Sequence, residues 1–129
     1  MKSRDTAVRL KRFEADEKVR KVADLEHMIR EFEMMCSDLD RQIRAEEDRT
    51  GVRDPHHFAY STFAKSAAQR RDNLLASVAN LRVQREAAAR ERDDVLEELG
   101  RSNGALETLE LIRSGSRRSI DREAKVDLR

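Results

Sequence analysis

Few residues in this chain could do chemistry by type. Asp54, His56 and His57 bring a carboxylate and two imidazoles close together, a set that could hold a divalent metal. Adjacent histidines point to different sides of a helical turn, however, and no HExxH motif or further Cys/His cluster accompanies them, so no metal site is expected. Cys36 has no companion histidine nearby in sequence and reads as a small apolar residue rather than a reactive thiol. As the single cysteine it cannot close an internal disulfide, which agrees with a reducing cytoplasm. Arg71, Arg85 and Arg92 recur along one helical stripe, but phosphate contact wants a net-basic face. Here Glu and Asp interleave throughout and the formal net charge is only +1, so no nucleic-acid partner is expected. No glycine-rich phosphate loop and no nucleophile beside a base occurs, so neither an enzyme nor a cofactor is expected.

The elements that position these residues follow from composition and spacing. The chain has 129 residues, 41% of them charged and only 4% aromatic, with a single proline and no tryptophan. That is too little large apolar surface for an ordinary globular core, and too regular a pattern for disorder. Charge-rich, aromatic-poor and periodic sequence predicts long helices that pair as a coiled coil. The first residues run straight into charged helical sequence with no apolar h-region, and no apolar run reaches membrane-spanning length. The expectation is a cytoplasmic protein with no signal peptide.

From Val22 the apolar residues fall at Leu25, Ile29, Phe32, Cys36, Leu39 and Ile43, in alternating steps of three and four. This spacing draws one narrow seam along a helix and asks for a partner helix to cover it. Upstream, Val8, Ala15 and Val19 continue the seam with one shortened step before Leu25, and Leu10 and Phe13 sit off it. Met28 and Met35 flank the seam, either widening the core or offering a soft docking strip. Around Glu14 to Lys21, opposite charges at three- and four-residue spacing predict pairs along one helix.

The break comes at 50–60. Gly51 is a left-handed helix stop, Asp54 before Pro55 reads as a cap with proline at the first helical position, and Ser61 is a second cap. A short helical turn near 55–58 and a second helix from about Ser61 are expected. Phe58, Tyr60 and Phe63 either staple the hairpin tip or stand exposed as a contact patch.

The second helix repeats the step pattern at Ala64, Ala67, Arg71, Leu74, Val78, Leu81, Arg85, Ala88, Arg92, Val95 and Leu99. Laid antiparallel, the two seams pair so that position numbers add to one constant, with Ile43 meeting Ala67, Cys36 meeting Leu74 and Val22 meeting Ala88. The predicted fold is all-α, a long two-helix antiparallel coiled-coil hairpin, with helix 1 over about 4–49, the turn at 50–60 and helix 2 over about 61–113. The seam arginines lay their stems on apolar neighbours and reach water. Gly100 and Gly104 weaken the second helix. Beyond them Leu106, Leu109, Leu111 and Ile112 form an apolar stripe, a candidate partner surface unless it packs on Leu10 and Phe13 or on another copy. A polar tail at 114–129, disordered or a frayed helix, is expected after it.

Particular residues go further than the pattern. The opening Met1-Lys2-Ser3-Arg4-Asp5-Thr6, the run Arg9-Leu10-Lys11-Arg12-Phe13, Asp54-Pro55 followed by His57-Phe58-Ala59-Tyr60, and Gln69-Arg70-Arg71-Asp72-Asn73-Leu74 resemble the alphaproteobacterial branch of the FliJ family. These are small coiled-coil proteins of the flagellar type III export apparatus. The resemblance covers roughly residues 1–99 and is most specific around the turn. Ser61 stands where the family's pattern has proline, and the stretch from Gly100 is less like its charged, continuous helix. The resemblance implies a stalk-like hairpin that couples the flagellar export ATPase to the cytoplasmic domain of the membrane export gate and assists export chaperones. Membrane association would be peripheral, through these partners only. It also implies that Arg4 to Phe13 with Leu106 to Ile112 enter the ATPase ring, while Phe58, Tyr60 and Phe63 face other partners. The competing expectation is a cytoplasmic scaffold coiled coil that self-associates and has no part in export.

Overall fold

A computed structural model describes the backbone of residues 2–127 and the side chains of residues 3–104 and 110–115. The fold is all-α: helix α1 spans Lys2–Thr50 and helix α2 spans Thr62–Asp127, packed against each other as a helical hairpin. Neither proline nor glycine falls between residues 2 and 50, so nothing interrupts the α1 hydrogen-bond ladder. It stops where Gly51 takes a φ of 74° and its amide donates to the Glu47 carbonyl at 2.9 Å. A left-handed residue just past the last turn closes the helix this way, and glycine alone adopts it without a Cβ penalty.

Two compact units divide the chain, Val19–Arg90 and Met1–Lys18 with Glu91–Arg129. In the first, the expected seam is the core. Val22, Leu25, Ile29, Val78, Leu81 and Ala88 form one buried cluster, with Phe32 and Ala89 half-buried against it. Leu39, Ile43, Ala64 and Ala67 form a second, flanked by Tyr60, Ala68 and Leu74. Cys36 is buried, and its thiol lies 3.9 Å from the Arg71 carbonyl. Burial pushes that thiol's pKa up, away from the reactive thiolate. Each Leu, Ile or Val sealed on this seam is worth about 1.5–3 kcal/mol.

Seam arginines pair with acids rather than simply reaching water. Arg71 meets Asp40 at 2.9 Å and Asp72 at 3.3 Å, Arg85 meets Glu26 at 2.9 Å, and Arg82 beside the seam meets Glu33 at 2.7 Å. Three of these bridge the two helices. In the second unit Arg92 pairs with its neighbour Asp93 at 3.0 Å.

That second unit corrects the register expected before Val22. Val19 is exposed, whereas Ala15 is buried and Lys11 and Lys18 are half-buried. The seam therefore runs through Val8, Lys11, Ala15 and Lys18 with no shortened step. Both lysines lay their stems on the seam and extend their ammonium groups to α2, Lys18 to Glu91 at 2.9 Å and Lys11 to Glu98. Lys18 thus pairs across the helices with Glu91, while Glu14 on its own helix adds a weaker attraction.

Two further expectations change. Helix α2 runs past the end expected near residue 113, through Gly100 and Gly104, and continues to Asp127. An isolated glycine costs a helix only about 1 kcal/mol, and no proline follows to break it. At the turn, no helical turn forms near Pro55. Instead the His57 amide donates to the Asp54 carbonyl at 3.1 Å and the Tyr60 amide to the His57 carbonyl at 3.0 Å, which makes two successive β-turns.

Candidate partner-binding surfaces

The residues singled out for contact fall into two groups, each within one unit. Around the turn, Ser61 caps α2. Its hydroxyl oxygen accepts from the Ala64 amide at 3.2 Å, and its hydroxyl donates to Glu46 at 2.9 Å, tying the end of α1 to the start of α2. Arg49 also bonds Glu46, at 3.1 and 2.5 Å, and these bonds hold the Glu46 carboxyl below the usual carboxylate range, Arg49 contributing most. Such a fixed frame leaves the three aromatics in different settings. Tyr60 is half-buried against the cluster of Leu39, Ile43, Ala64 and Ala67, and burial raises its phenol pKa. Phe58 is 96% exposed and stacks on the His57 ring, centroids 4.6 Å apart. Phe63 is 56% exposed. Tyr60 is therefore the staple, and Phe58 with Phe63 the exposed pair.

In the other unit Leu10 and Phe13 are 65% and 63% exposed on the face of α1 away from the seam. Leu111 and Ile112 are exposed on α2 and do not cover them. The side chains of Leu106 and Leu109 lie outside the described residues. Arg4, Arg9 and Arg12 surround the Leu10 and Phe13 positions in sequence, so the apolar pair stands in a basic stretch.

Met28 and Met35 stand more in solvent than core residues do, at 41% and 44% exposure, and Met34 and Val83 are more exposed still. The methionines thus flank the core without widening it. Met34 and Val83 escaped sequence reasoning because they lie off the seam, and nothing in their spacing distinguishes them from ordinary surface positions.

One open groove of about 310 Å³ lies between the helices of the Val19–Arg90 unit, lined by Glu26, Ile29, Arg30, Glu33, Arg82, Arg85 and Glu86. Four of its charges are spent on each other through the Arg82–Glu33 and Arg85–Glu26 pairs, and its lining holds no nucleophile beside a base. Among the described residues no three His, Cys, Asp or Glu side chains converge as a metal ion would require. No helix among them is long and apolar enough to cross a membrane. What the surfaces can offer chemically is contact: exposed aromatic and aliphatic side chains on a frame of ion-paired helices. Compared with protein-family models, curated proteins and solved structures, the chain gives no match.

Proposed function

We propose that this chain is a component of flagellar type III protein export, a stalk-like coiled-coil factor that couples the export ATPase to the membrane export gate and assists export chaperones. The observation that carries the reading is the antiparallel pairing of α1 and α2 about a turn that holds Asp54-Pro55 and His57-Phe58-Ala59-Tyr60, the most specific part of the resemblance to the FliJ family. The uninterrupted course of α2 through Gly100 supports it, because the family's second helix is continuous. So does a mixed-charge sequence, 27 Lys and Arg interleaved with 26 Asp and Glu, which resists firm sticking inside a ring of subunits.

In this reading the export ATPase, the cytoplasmic domain of the export gate and the export chaperones are its partners. It works in the cytoplasm at the inner face of the inner membrane, held there through those partners, and it performs no catalysis of its own. Leu10 and Phe13 with Leu106, Leu109 and Ile112 meet the ATPase, and Phe58 and Phe63 meet another partner, with Tyr60 setting their frame. A pull-down of the purified export ATPase and gate domain by the full-length chain tests this. Capture of both, with ATPase capture reduced by alanine at Leu10, Phe13 and Ile112, is the expected result. Capture of neither, in a strain whose motility survives loss of the chain, would overturn the reading. The exposure of Leu10, Phe13, Leu111 and Ile112 also suits a self-associating scaffold, which a concentration-dependent mass in solution would reveal.

A further inference from the structure

His57 is the junction of the two β-turns that join the helices. Its amide closes the first turn on the Asp54 carbonyl, and its own carbonyl accepts from Tyr60 to close the second. Each turn carries one more bond of the same kind. In the first, Asp54 Oδ1 accepts from the His56 amide two residues on, at 2.9 Å. In the second, His57 Nδ1 accepts from the Ala59 amide two residues on, at 3.0 Å. The first residue of such a turn is favourably Asp, Asn or Ser, because a side-chain oxygen can accept that amide. At position 57 an imidazole nitrogen does the work of the oxygen.

That substitution has a chemical consequence. A carboxylate or amide oxygen accepts over the whole neutral range. An imidazole nitrogen accepts only while it carries no proton, since both ring nitrogens of an imidazolium are donors. Protonation would set the Nδ1–H against the Ala59 N–H, donor facing donor. We propose that His57 is a proton-sensitive latch: neutral, it holds the Ala59 amide and presents Phe58; protonated, it lets go of that amide and shifts Phe58 while the turn itself stays closed. The Phe58 ring follows because it is stacked on the His57 ring and touches little else at 96% exposure. Tyr60 stays, because its amide bonds a carbonyl that does not titrate and its ring packs on the Leu39–Ile43 cluster.

The charged groups around the latch are accounted for. At the close of α1, Glu46 is tied to Arg49 and Ser61, and Asp48 to Arg53. Asp54 is bonded to the His56 amide, and Glu47 and Arg49 precede the turn as Lys65 follows it. His56 donates only its backbone amide there, a bond in which its ring takes no part. The latch goes beyond the export reading and requires no partner.

Nitrogen-15 and proton NMR on the full-length chain tests it, followed from about pH 8 down until the His57 ring resonances themselves report protonation. At the higher pH, His57 should carry its proton on Nε2, with the Ala59 amide protected from exchange. On protonation that protection, corrected for the intrinsic rate, should fall about fivefold, the weight of one ordinary hydrogen bond. The Phe58 ring resonances should move with it, while the Tyr60 amide is unchanged. His57→Asn supplies an oxygen that accepts across that titration, so Ala59 should stay protected throughout. An Ala59 amide indifferent to the titration of His57 overturns the proposal, as does a His57→Asn variant with the same pH response as the natural chain.

Discussion

The Lys18 ammonium lies 2.9 Å from the Glu91 carboxylate, joining the two helices from a position on the seam face of α1 beside buried Ala15. A seam position normally takes an apolar side chain, and lysine there sets the pairing partner at some expense of stability. The hydrogen bond it donates to Glu91, and then the charge of that carboxylate, hold the lysine above its usual pKa. A raised folded value means that the stabilisation is full below the unfolded value of about 10.4 and fades as pH rises through the folded one.

Replacing this lysine separates packing from charge. Lys18→Met keeps the stem and drops the ion pair, which is exposed and of small worth. Its denaturant midpoint should rise and should vary less with salt than that of the natural chain. Lys18→Glu should lower the midpoint, most at low salt, because it sets an acid against Glu91. Urea titrations at two ionic strengths check both.

Ile43 and Ala67 share one buried cluster, large against small. Ile43→Ala should cost about 2–3 kcal/mol through lost burial and the cavity left behind. Ala67→Ile should cost about 1–3 kcal/mol through overpacking. The double variant should be less destabilised than the sum, by about 1 kcal/mol, because each change relieves the other. Equilibrium unfolding of the four proteins gives the coupling.

The turn depends on two local devices. No neighbour lies within 4 Å of a Cβ built on Gly51, so Gly51→Ala should cost only the left-handed backbone penalty, about 1–2 kcal/mol. Ser61→Ala removes the cap of α2 and should cost about 1 kcal/mol, while Ser61→Thr, which keeps a hydroxyl to donate to Glu46, should restore most of it. Urea midpoints of the three variants decide.

Acid should loosen the same region through Glu46. Its folded pKa is depressed, first by Arg49 and then by Ser61. The sign is the reverse of Lys18: the contribution is present above the unfolded value of about 4.3 and is lost as pH falls through the lower folded one. Thermal midpoints of the natural chain should therefore drop below about pH 4, and Glu46→Gln should show a shallower drop.

Much of this was legible in the sequence. Every seam residue from Val22 to Ile43 is buried or half-buried, and the buried residues of α2 in that unit, Ala64, Ala67, Val78, Leu81 and Ala88, all lie on the expected stripe. Spacing alone conveys this, since a 3.5-residue repeat has only one face to cover. Lys11 and Lys18 were missed because the seam was traced through apolar residue types. Stepping back from Val22 by four and three lands on Lys18 and Ala15, so the signal lay in position and not in type. The Asp54-Pro55 pair reads equally well as a helix start or as a β-turn, because the same side-chain oxygen serves either. Which aromatic would be buried depended on that turn: only its backbone path brings Tyr60 to the core and leaves Phe58 outside. The continuation of α2 to Asp127 was obscured by glycines and serines that disfavour a helix without forbidding one.

The antiparallel pairing of the two helices within one chain underlies the fold and the function proposed for it. Cysteines placed at Glu33 and Arg82, in a chain carrying Cys36→Ser, address it most directly, because these exposed side chains meet across the two helices at 2.7 Å. Treated with a short bis-maleimide, this protein should close a link within single chains at a rate independent of protein concentration. Cross-linked dimers that grow with concentration, with no internally linked monomer, would contradict the hairpin and favour pairing between chains.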